Sequence, residues 1–133
     1  MNRQFAISAG VMFVTAYALG FIVHGVLLHG DYARLPNLMR PMSEMMGKIP
    51  YLAIGHACFA VAFTWIYMKG RESRPWLAQR IRYGIAIALL MTIPTYLIYH
   101  AVMPFPLALA IKQIVLDTIS VVLMGIVLAW LNR

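Results

Sequence analysis

Acidic side chains are the scarcest chemistry in this chain: four Asp and Glu among 133 residues, against eleven Lys and Arg. Charged residues make up only 11% of the sequence, too few to clothe a water-soluble domain of this length. There is one cysteine, Cys58, so an intrachain disulfide is excluded. Cys58 falls in an apolar run and reads as a buried, inert thiol, which leaves the redox compartment undefined. Enzyme signatures are absent as well: the sequence contains no HExxH, no CxxC, no GxSxG and no glycine-rich phosphate loop. Catalysis is therefore not the expectation, although Ser120 beside a histidine leaves a nucleophile and base conceivable. The formal net charge of +7 does not point to nucleic acid, because no basic patch is interleaved with aromatic residues. No long repeat is visible, and the length allows one domain, residues 1–133.

What is present is apolar. Hydrophobic residues make up 62% of the chain and its mean hydropathy is +0.78, values expected of a membrane protein. Four runs are long enough to cross a hydrocarbon core of ~30 Å at ~1.5 Å per residue. They lie at about residues 5–28, 51–68, 83–103 and 107–131. The first exceeds the ~7–15 apolar residues of a signal-peptide core and is expected to be a retained helix. Its residues Ala9, Phe13, Ala16, Gly20 and His24 recur at three- and four-residue steps, one helix face.

The first connection holds Pro36, Pro41 and Pro50, which excludes a long continuous helix. Within it, Leu38 to Met46 is expected as a short interfacial helix with Met39, Met42, Met45 and Met46 on its apolar side. Those thioethers could instead contact Cu(I). The second connection, GRESRPWLAQRIR, carries Arg71, Arg74, Arg80 and Arg82 and reads as a solvated loop at the lipid headgroups, with a short surface helix from Pro75 and Trp76. Pro94 should kink the third span, and MPFP turns the chain back into the fourth. Seven Lys and Arg (3, 69, 71, 74, 80, 82, 133) lie on one side of the spans and four (34, 40, 48, 112) on the other. By the positive-inside rule both termini are cytoplasmic. The expected fold is all-α, an antiparallel four-helix transmembrane bundle.

This topology puts His24, His56, His100 and Asp117, one from each span, in the outer half of the membrane. A carboxylate inside an apolar helix is costly unless it faces protein, water or a partner, so Asp117 needs company. Gln113, Asp117 and Ser120 form one stripe at i, i+4 and i+7, with Lys112 nearer the surface and Tyr96 on the polar half of span three. Three histidines and an aspartate are ligand types for a transition metal such as Cu or Zn, and two axial histidines can hold haem, which the spacing favours less. Two other readings stay open: a polar cluster that only fixes helix packing, and a path for protons or small solutes. The first makes the chain a non-catalytic structural or accessory subunit. The metal and pathway readings make it a small-ligand or metal-ion binding or transport module. His29 and Asp31, just beyond span one, are expected to be solvated. The small-residue stripes Ala53/Ala57 and Gly84/Ala88 offer packing faces for a homo-oligomer or for a larger membrane complex, with the lipid bilayer as the surrounding partner.

The stretches HGVLLHGDYARL, PTYLIYHAVMPFP and LALAIKQIVLDTISVVLMGIVLAWL resemble a group of small bacterial membrane proteins with four predicted helices. The likeness covers the chain from about Phe21 onward. It implies a multi-pass protein of the bacterial inner membrane and brings no functional residue with it.

Overall fold

The computed structural model describes residues 3–70 and 76–132. All regular structure among them is helical, and four helical runs are long and apolar enough to cross a membrane: Arg3–Leu27, Ile49–Lys69, Leu77–Val102 and Leu107–Leu131. The chain divides into two compact units, one ending at Trp65 and the other beginning at Ile66.

In the first unit, α1 (Arg3–Gly20) continues without a break into a π-helical stretch, Phe21–Leu27. The widened turn closes where the Leu28 amide donates to the Val23 carbonyl at 2.9 Å, and a single further turn, α2 (His29–Ala33), follows. The expected interfacial helix is shorter than its apolar pattern: α3 is only Met42–Met46, and Leu38 and Met39 lie in turns before it. Pro41 sets that boundary, with extended backbone (φ −61°, ψ 152°) just ahead of the first helical residue. The next helix, α4 (Ile49–Lys69), tolerates Pro50 because the first helical turn needs no amide donors there. Cys58, expected to be buried, is exposed on α4. Ala57 beside it is exposed too, between half-buried His56 and Phe59, and the thiol shares that surface.

In the second unit, α5 (Trp76–Ile87) runs through a π-helical stretch, Ala88–Thr92, into α6 (Ile93–Val102). The expected surface helix and third span are thus one helical run, which starts well before the apolar sequence does. Residues 71–75, which carry Arg71, Arg74 and Pro75 of the expected basic loop, lie outside the described residues. Arg80, expected in that solvated loop, is instead 2% exposed. The reason is packing: Arg80 and Gly84 lie one turn apart on α5, and the Arg80 carbonyl comes within 3.0 Å of where a Cβ on Gly125 would stand. Gln79, on the half-buried flank, donates to the Gly70 carbonyl at 3.3 Å.

Pro94 explains the second π stretch. It lacks the amide that would bond the carbonyl of Leu90, and its ring crowds that carbonyl, so the turn widens. At the far end Met103 is extended (φ −124°, ψ 153°), the conformation forced on a residue before proline, and α6 stops. Pro106 then leads into α7 (Leu107–Leu131), a 25-residue helix with no internal proline. Its buried residues Gln113, Val121, Met124, Gly125 and Leu128 face α5, the second π stretch and α6.

Candidate functional site

A side-chain hydrogen bond joins two long helices of the second unit. The Tyr96 hydroxyl on α6 donates to Oδ2 of Asp117 on α7. Asp117 lies ten residues into α7, ~15 Å along the axis at ~1.5 Å per residue, and is half-buried. A hydroxyl orients a carboxylate and satisfies part of its hydrogen-bonding capacity. Tyr99 stands edge-on to Tyr96, with ring centroids 6.4 Å apart. Along the α7 stripe, Gln113 is buried, while the Ser120 hydroxyl turns back to the Leu116 carbonyl at 3.0 Å, a bond within its own helix. Lys112 is exposed.

The three histidines of the expected site, His24, His56 and His100, each hold a local partner. His100, exposed at the end of α6, donates from Nδ1 to the Phe105 carbonyl at 2.6 Å and so clasps the turn between α6 and α7. In the first unit, Nδ1 of His56 donates to the Leu52 carbonyl one turn back, at 2.7 Å. A carbonyl only accepts, so both rings carry their proton on Nδ1. The Nε2 edge of His56 then faces α1, 2.9 Å from where a Cβ on Gly20 would stand, and Tyr17 lies 5.1 Å away, ring to ring. His24 is in the π stretch one turn beyond Gly20; its Nδ1 meets the Tyr32 hydroxyl at 2.6 Å, with the two rings stacked 25° from parallel. His29 is exposed and Asp31 half-buried.

Of the eight residues expected to carry the site, the structure joins Tyr96 to Asp117 directly and gives each histidine a different neighbour. Among the described residues, no group of three or more His, Cys, Asp or Glu is placed to hold a metal ion. Four contributors escaped the sequence: Tyr17, Gly20 as the surface His56 leans on, Tyr32, and the Phe105 carbonyl. Tyr32 was the most accessible of them, since it follows His24 by two turns in a stretch already rich in polar residues. Comparison of the chain with protein families, with curated proteins and with solved structures yields no match.

Proposed function

We propose that this chain is an integral protein of a bacterial inner membrane that binds a small cationic ligand at Asp117. The four long helices cross in antiparallel order with both termini cytoplasmic. Within the second unit, the reversed order of contacts supports that arrangement: Arg80 meets Gly125, Gly84 meets Val122, and Tyr96 meets Asp117. The observation that carries the functional reading is the Asp117 carboxylate, deep in an apolar helix and bonded by the Tyr96 hydroxyl. An ionisable group at that depth is costly and marks a ligand or ion position. Tyr96 fixes where the carboxylate points, and the half-exposure of Asp117 leaves it within reach of a ligand. A transition-metal version, with Cu or Zn held at any of His24, His56, His100 or Asp117, draws on the Nδ1–H bonds of His56 and His100, which resemble the outer bonds that orient metal-binding imidazoles.

A second reading has an observation of its own. All four of these side chains already make hydrogen bonds within the protein. They would then serve to fix helix register in a non-catalytic subunit of a homo-oligomer or larger membrane complex.

One titration separates the two. Protein purified without a histidine tag is titrated with Cu(I), Zn(II) and monovalent cations, alongside the Asp117→Asn and His56→Ala variants. Saturable binding lost in Asp117→Asn supports the ligand site, and loss in His56→Ala as well supports the metal version. Equal, weak binding by all three proteins leaves the register reading in its place. Single-cysteine labelling at position 38, accessible from outside, and at position 73, accessible from inside, tests the topology; labelling of both from one side refutes it.

A further inference from the structure

We infer that the short helix α3 is a docking edge for the lipid bilayer, lying flat where headgroups give way to acyl chains; this rests on the reading of α4 as a membrane-spanning helix. Every residue from Arg40 to Leu52 is exposed, although the stretch is rich in large apolar side chains. Met42 and Met46 are 60% and 62% exposed, and Met45, Ile49 and Tyr51 are exposed as well. Met42, Met45 and Met46 stand at i, i+3 and i+4, so they share an arc of about 100° on α3. Glu44 lies on the other side and pairs with Arg40, Nη1 to Oε2 at 3.3 Å. The segment is therefore amphipathic, and among the described residues its apolar side stays exposed.

Bilayer is the occupant because of what α3 is joined to. Gly47 and Lys48 connect it directly to α4, which is apolar enough to span, so α3 is tethered within two residues of the point where that helix enters the membrane. Lys48 places its ammonium 5.5 Å over the Tyr51 ring. A lysine resting on an aromatic face fits the headgroup level, where the ring sits at the boundary and the ammonium meets lipid phosphate. Unbranched, flexible methionine side chains fill an irregular acyl surface well.

The test uses full-length protein with Cys58→Ala and a single cysteine at position 44, 46 or 61, each labelled with an environment-sensitive fluorophore. Each is placed in nanodiscs of phosphatidylcholine and phosphatidylglycerol. Quenching by a doxyl lipid is compared with quenching by aqueous iodide. The lipid-to-iodide ratio should be several-fold higher at Met46→Cys than at Glu44→Cys. Val61→Cys, on the exposed side of α4, reports the spanning reading separately and should be quenched by lipid alone. Iodide access at Met46→Cys with lipid quenching at Val61→Cys overturns the proposal and leaves the span intact. Shielding of Met46→Cys from both quenchers means that protein, such as a second copy, covers the face, and also overturns it. Iodide access at Val61→Cys removes the spanning reading itself.

Discussion

Gly84 and Val122 meet backbone to backbone: a Cβ on Gly84 would stand 2.6 Å from the Val122 Cα. Neither partner can yield by turning a side chain, because the nearest atom is main chain. Gly125 makes the reciprocal approach to the Arg80 carbonyl, at 3.0 Å for an added Cβ. Two glycines, one on each helix, thus let α5 and α7 pack closely and carry Arg80 into the interior. In lipid, where apolar side chains gain little by leaving the solvent, such close van der Waals packing is a main source of helix association.

Gly84→Ala should accordingly destabilise the second unit by about 1–3 kcal/mol, the usual range for overpacking a tight contact. Gly10→Ala is the matched control, since a Cβ at Gly10 meets nothing within 4 Å. It should be neutral or stabilising by up to about 1 kcal/mol through helix propensity. Unfolding of both variants in mixed detergent micelles measures the difference. Equal stabilities would mean that the α5–α7 contact is looser than described.

The bond from Tyr96 to Asp117 predicts a coupling that single substitutions cannot reveal. Tyr96→Phe and Asp117→Asn, alone and together, form a double-mutant cycle. A hydrogen bond to a charged acceptor should give a coupling of about 1.5–3 kcal/mol. Additive effects would show that the two side chains do not interact in the folded protein. The expected result is non-additive, with Tyr96→Phe costing little once Asp117 is Asn.

His56 and His100 should both show a proton on Nδ1 in nitrogen-15 spectra of histidine-labelled protein. Donation to the Leu52 and Phe105 carbonyls requires it. Gly20→Ala adds a Cβ 2.9 Å from Nε2 of His56, so the His56 ring signals should shift while those of His100 stay in place. Unmoved His56 signals in that variant would count against the described approach of His56 to α1.

The four apolar runs were legible because length and hydropathy suffice to mark a spanning helix, and α7 carries no proline to interrupt it. The stripe through Gln113, Asp117 and Ser120 was legible for the same reason, since a regular helix preserves its period. In the first span the expected face through Ala9, Phe13, Ala16, Gly20 and His24 is met in part: Ala9 and Ala16 are buried, but Ser8 and Met12 are buried beside them, with Val23 and Leu28 further on. Steps of four from Ser8 through Gly20 and His24 to Leu28 each overshoot an α turn by about 40°, or about 200° over five steps. The π stretch takes up part of that drift, and no proline announces it in the sequence. The histidine partners were hidden differently: the acceptors on Leu52 and Phe105 are backbone carbonyls, which any residue type supplies.

The same geometry in the second unit yields the sharpest test of how the site is built. Arg80, Gly84, Ala88 and Thr92 are buried at four-residue steps, and Tyr96 at the next step reaches Asp117. On an uninterrupted α-helix, four such steps would turn Tyr96 about 160° away from Arg80. The π stretch Ala88–Thr92 opposes that rotation, and Pro94 is what widens it. Pro94→Ala restores an amide donor and relieves the crowding at Leu90, so the run is free to close into regular α-helix. Tyr96 should then swing off the α7 face and lose Asp117. In the Pro94→Ala background, Tyr96→Phe should therefore become nearly neutral in detergent unfolding, while Gly84→Ala, upstream of the π turn, keeps its full cost. An undiminished effect of Tyr96→Phe in that background would show that packing against α7, and not the proline, sets the register of α6.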